Sequence, residues 1–165
     1  MVQLFRVLGT GARLKEVLEV DLAELLPQSG CMRLLDTLVL HEGDRTVCRI
    51  DPLRSGLFEE ASGRLPTWLA LEYMAQCASV HGALALDGPR AGAAPRVGLL
   101  LGARQLELRV PRLPVAPMEV EARHHGDARG LVSFDCSLRD PGAGDLLATG
   151  RLNVYTLSAD ALPGE

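Results

Sequence analysis

The chain has 165 residues, 47% of them hydrophobic, 4% aromatic and 23% charged, with a formal net charge of −4. Length and composition fit a single globular domain, 1–165, with a core of Leu, Val and Ala. Charges of both signs are interspersed on an acidic balance, which leaves no basic footprint and excludes nucleic acid as an expected partner.

Segment 1–20 is mixed and reads as partly peripheral to the domain. Arg6 interrupts its short apolar run, so it lacks the unbroken core of a signal segment. No later stretch reads as a membrane span, and a cytoplasmic home is expected. Asp21 to Pro27 reads as a one-turn helix that Asp21 caps, with Glu24 three residues on and Pro27 as its stop. Leu34 to His41 and Arg45 to Asp51 read as strands joined by a tight Glu42-Gly43-Asp44 connection. Residues 51–64 have loop composition.

The run from Leu65 to Leu86 reads as one long helix. Pro66 suits its first turn, where a missing N–H costs nothing. About twenty residues at about 1.5 Å each would span about 30 Å, the width of a small domain. Asp87-Gly88-Pro89 ends this helix, and Arg90 to Pro95 is a small-residue loop. Four strands follow, Val97 to Val110, Met118 to Gly126, Leu131 to Arg139 and Leu146 to Leu157, separated by Pro- and Gly-bearing turns. Two strands, a buried helix and four strands imply an α+β fold, an antiparallel sheet wrapped around one central helix.

Glu72 stands inside the apolar helix. Gln76 lies about 40° from it around the helix axis and Ser79 about 20° to the other side, so the three share one polar stripe. An acid in such a setting either lines a site or pairs with an arginine such as Arg64 or Arg104. Gln76 either supports that acid or satisfies backbone groups. His81, nine residues after Glu72, falls on the opposite side of the helix. His124 and His125 are adjacent in a strand and point to opposite faces, so they cannot both bind one metal undistorted. Cys31, Cys48, Cys77 and Cys136 are scattered, form no Cys-x-x-Cys pair and read as small buried hydrophobes. No metal and no cofactor are expected. In the loop before the helix, Arg54, Ser55, Glu59, Glu60 and Arg64 crowd together, either as a solvated loop or with Arg54 or Arg64 meeting an anionic carrier. Trp68 and Tyr73 read as packing groups before recognition groups.

Leu26-Pro27, Leu34-Leu35-Asp36 and Leu71-Glu72-Tyr73-Met74-Ala75-Gln76, in this order of elements, resemble the hotdog-fold 3-hydroxyacyl-ACP dehydratases. Gly63-Arg64-Leu65-Pro66-Thr67-Trp68-Leu69 and Gly98-Leu99-Leu100-Leu101-Gly102-Ala103-Arg104 look like the branch found in aryl-polyene biosynthesis. The resemblance implies a hotdog fold and water elimination from a 3-hydroxyacyl thioester of an acyl carrier protein or CoA. It implies catalytic Glu72 with Gln76 supporting it, and a substrate region containing Gly63, Arg64, Phe58 and Trp68. Gly63 would help polarise the thioester carbonyl. The resemblance also implies a pocket shared between subunits, in a homodimer or a heterodimer with another hotdog subunit. At the loop position where the family places a histidine, fourteen residues before the helix acid, this chain has Phe58. Two alternatives therefore stand beside the dehydratase: a catalytically incomplete subunit that pairs with a histidine-bearing partner, and an acyl thioesterase that uses the helix acid to activate water.

Overall fold

The computed structural model describes residues 20–85, 98–128 and 130–156. The expected helix stop at Asp87 to Pro89, the loop Arg90 to Pro95 and nearly all of segment 1–20 lie outside them.

α1 (Leu22–Leu25) is a single turn. The Asp21 carboxylate accepts the Ala23 N–H at 2.8 Å, and Leu26 is already extended, as the residue before a proline must be. A short 3-10 helix, Gly30–Met32, follows in a stretch the sequence pattern left unassigned. β1 (Thr37–Glu42) and β2 (Arg45–Ile50) form the expected hairpin, with Gly43 at φ 58 in its turn. β1 starts at Thr37 because Leu34 and Leu35 are spent on the core before the ladder begins.

The stretch expected to be loop contains a seven-residue 3-10 helix, Pro52–Phe58. Asp51 caps it by accepting the Leu53 N–H at 3.0 Å, and Pro52 occupies its first turn. The long helix α2 covers Leu69–Ala85. It begins four residues later than the apolar run suggested because Leu65 pairs as a β-bridge with Leu113. Pro66 to Trp68 lead in through tight turns, accepting the N–H groups of Leu69, Ala70 and Leu71.

Four strands complete the fold: β3 (Gly98–Leu108), β4 (Met118–Ala128), β5 (Leu131–Arg139) and β6 (Leu146–Thr156). All pairings are antiparallel, and the sheet order is β1-β2-β4-β5-β6-β3. One face of the sheet carries Cys48, Ile50, Val120, Ala122, Leu138, Ala148 and Leu152 against α2, whose Leu69, Tyr73, Met74, Cys77 and Val80 are buried there. Burying each large side chain contributes about 1.5–3 kcal/mol, so this seam is the principal hydrophobic contribution. Three of the four cysteines join it as expected; Cys31 is exposed instead. Among the described residues no helix is long and apolar enough to cross a membrane.

β3 is an edge strand, bonded to β6 on one side only. Its register with β6 breaks between Leu100 and Gly102 and again between Arg104 and Glu107. Gln105 in the second break has φ 53, a left-handed value unusual away from glycine. Leu99, Leu100, Leu101, Leu106 and Leu108 are all exposed, Leu101 at 62%.

Candidate active site

Gln76 is the organising residue of the site. It is fully buried, and one turn of helix brings its amide beside Glu72, where Nε2 donates to Glu72 Oε1 at 2.8 Å. The same nitrogen donates to the Met32 carbonyl at 2.8 Å, and Oε1 accepts the Leu34 N–H at 3.0 Å. Both donor hydrogens and the acceptor of the amide are thus used, which locks its orientation. The carboxylate is held to the scaffold through a group that does not titrate. Among the described residues no arginine reaches Glu72, and Gln76 is its partner.

Glu72 is half-buried, in the first turn of α2. It shares an open strip with Trp68, Leu71, Ala75 and Ser79, positions three or four residues apart. The opposite side of α2, with Leu69, Tyr73, Met74, Cys77 and Val80, is buried. Trp68 is the exposed member of this strip and the others are half-buried, so α2 is enclosed on most sides, as expected.

Phe58 ends the 3-10 helix and packs partly into the core, with Trp68 meeting its ring edge to face at 5.5 Å. Trp68 is 56% exposed, more than a packing residue requires. Two anchors fix the 3-10 helix that carries Phe58. Arg54 pairs with Asp36 at 2.9 Å, and the buried Ser55 hydroxyl and Tyr73 hydroxyl are 2.7 Å apart. Burial pushes the Tyr73 hydroxyl above its ordinary value of 10.0, the Ser55 bond opposing, so it remains a neutral hydrogen-bonding group. Arg54 is therefore committed to holding the loop. Arg64 is exposed and makes no ion pair or hydrogen bond through its side chain to the described residues.

Gly63 differs from the role expected for it. Its φ of 68 explains the glycine, but its N–H is bonded to the Glu60 carbonyl at 2.9 Å, within a turn closed by Glu60 N–H on Arg64 O. That donor is engaged and cannot also polarise a thioester. The first helical N–H groups, at Leu69 to Leu71, are likewise taken by Pro66, Thr67 and Trp68. The pre-helix segment is tied to the connection between β3 and β4 by Thr67 Oγ1 to Pro111 O at 2.9 Å and by Arg112 with Glu60 at 2.6 Å.

The histidines stay away from Glu72. His81 is buried on the far side of α2 against Thr46, His124 stacks on it, and His125 faces the other way, toward Asp135 at 3.2 Å. Among the described residues no group of three His, Cys, Asp or Glu side chains is arranged to hold a metal ion. Cys77 lies next to Gln76 in sequence but points into the core, and burial pushes its thiol well above its ordinary value. It cannot serve as a nucleophile. Two open grooves, of 520 and 420 Å³, belong to the outer face of the sheet around Arg151, opposite to α2.

The antiparallel sheet wrapped around one helix is a hotdog fold. A family model described as ApeP-like, ApeP dehydratase, matches residues 20–162, and the chain belongs to this family. Among solved structures it is similar to the dehydratase heterocomplex ApeI:P from Xenorhabdus doucetiae, with 25% identity and a TM-score of 0.74, covering 86% of this chain and 93% of that one. A thioesterase from Staphylococcus aureus shares the fold at 11% identity and a TM-score of 0.59, over 74% of this chain and 93% of the other. A hypothetical thioesterase with coenzyme A from Streptococcus pneumoniae does so at 7% identity and a TM-score of 0.57, over 73% and 84%. Comparison with curated proteins yields no match.

Proposed function

We propose that this chain is the acid-bearing subunit of a dehydratase acting on 3-hydroxyacyl thioesters, with an active site completed by a second hotdog subunit that brings the histidine. The observation that carries this reading is the held pair of half-buried Glu72 and buried Gln76 in α2, beside a loop that presents Phe58 instead of a base. Such a half-site needs a partner, and the exposed leucines of edge strand β3 supply a surface for one. The similarity to ApeI:P, itself a heterocomplex, supports a mixed assembly over a pair of identical chains.

In this mechanism the partner's histidine takes the proton from C2 of the substrate. Glu72 serves as the general acid and gives a proton to the hydroxyl leaving C3. The C2–H and C3–O bonds break, a C2=C3 double bond forms and water departs. Gln76 keeps the carboxyl aimed. General acid and base roles of this kind are each worth about 10²- to 10⁴-fold. Trp68, Phe58 and the strip along Leu71 and Ala75 would flank the acyl chain, and Arg64 would meet the anionic arm of the carrier, whether carrier protein or CoA.

The test is to assay the purified chain alone and then with a histidine-bearing hotdog dehydratase, following enoyl product and free thiol separately. Enoyl product only from the mixture is expected. Full activity of the chain alone would overturn the half-site reading, and thiol release without enoyl product would make the protein a thioesterase.

A further inference from the structure

Outside the site, three histidines gather around one hydroxyl. Thr46 of β2 is fully buried, and its Oγ1 lies 2.8 Å from His41 Nδ1 of β1 and 2.9 Å from His81 Nδ1 of α2. The His81 ring is 5.3 Å from His41, 6.0 Å from His124 of β4, which lies parallel to it, and 5.4 Å from Phe134 of β5. A hydroxyl has one proton to give. With both rings neutral, one must therefore donate to Thr46 while the other accepts from it, so the two histidines hold complementary tautomers. When both rings present N–H to Thr46, its own proton has lost both acceptors, and a charge on the buried His81 ring sits 5.3 Å from the His41 ring.

We propose that this knot is an acid-operated latch: at neutral pH it pins the C-terminal part of α2, Val80 to Ala85, to the β1–β2 hairpin and β4, and a proton on His81 releases that part while the beginning of the helix stays docked. The groups that face His81 are His41 from β1, Asp44 from the hairpin turn, Thr46 from β2, His124 from β4 and Phe134 from β5. Burial, then His41 and His124, pull the His81 ring down from 6.5 to about 4, against the opposing pull of Asp44. Asp44 cannot hold the proton in place, because its carboxylate is exposed and already faces Arg123 at 3.4 Å. The start of α2 is fastened differently. Gln76 and the Ser55–Tyr73 pair use an amide, hydroxyls and backbone groups, none of which changes charge in this range.

A ring whose affinity for protons is lower when latched favours the open form as pH falls. Opening should rise about tenfold per pH unit between 6.5 and 4, about 300-fold in all. Hydrogen exchange read by mass spectrometry, corrected for intrinsic rates, measures this on the full chain. Residues 80–85 and 41–46 should gain exchange with that slope while 69–76 remain protected. Uniform protection to pH 4, or simultaneous opening of the whole helix, would overturn the proposal. His81→Gln retains a partner for Thr46 without a titrating ring, and its exchange at 80–85 should be flat with pH; an unchanged slope would also overturn the latch. Should that variant fail to fold, the His81 ring resonances of the unaltered chain decide, since their titration must coincide with the opening curve.

Discussion

Glu72 is a carboxylate whose position is set by a neighbour with no freedom of its own. Glu72→Gln keeps the shape and the contact with Gln76 but removes the proton donor, so enoyl formation by the mixed assembly should fall at least about 100-fold with association unchanged, as kinetics beside sedimentation would show. Gln76→Ala acts differently. It strips partners from the Leu34 N–H, the Met32 carbonyl and Glu72 together, and urea denaturation should show a loss of about 2 to 3 kcal/mol in addition to lowered activity. The Glu72–Gln76 relationship was legible from spacing alone, because four residues along a helix always bring side chains together. What Gln76 grips was not, since Met32 and Leu34 meet it only after the chain has folded back. The histidine knot escaped for the same reason. Its members come from β1, β2, α2 and β4, and nothing in their spacing joins them.

At the level of elements, periodicity found the helix, the hairpin and the four later strands, because alternation and apolar runs are local. The edges moved where a long-range contact won. Leu65 was drawn into a bridge with Leu113 and out of α2, and Leu34 and Leu35 entered the core ahead of β1. The 3-10 helix Pro52–Phe58 carried a usable signal that composition masked: an Asp followed by Pro is the pattern of a cap and first turn. In the proposed mixed assembly β3 is the element that meets the partner. Five exposed leucines on an edge strand form the surface the proposed assembly would cover, so Leu101→Asp should abolish pairing with the proposed partner subunit while leaving the fold intact. Size-exclusion chromatography with light scattering, beside circular dichroism, separates those two effects.

Across the whole molecule, the two faces of the sheet contribute unequally to stability. The helix side is mostly hydrocarbon, with the Thr46–His81 contact at one end, whereas the outer side carries ion pairs such as Arg151 with Asp135 at 2.7 Å. Arg151 and His125 hold the Asp135 carboxyl below its ordinary value of 3.8, so its contribution is present above that pH and is lost as the pH falls through the lowered range. With Asp135 43% exposed, Asp135→Asn should cost at most about 1 kcal/mol at pH 7 in urea denaturation, and the difference from the unaltered chain should shrink on acidification. Strand order has a consequence for synthesis on the ribosome. The hairpin β1–β2 and the helix emerge early, yet β2 finds its inner neighbour only when β4 appears, Arg45 meeting Arg123. Until then a nascent chain exposes one open edge of β2 and an uncovered greasy helix, the situation in which chaperone capture or co-expression of a binding mate decides the yield of native protein.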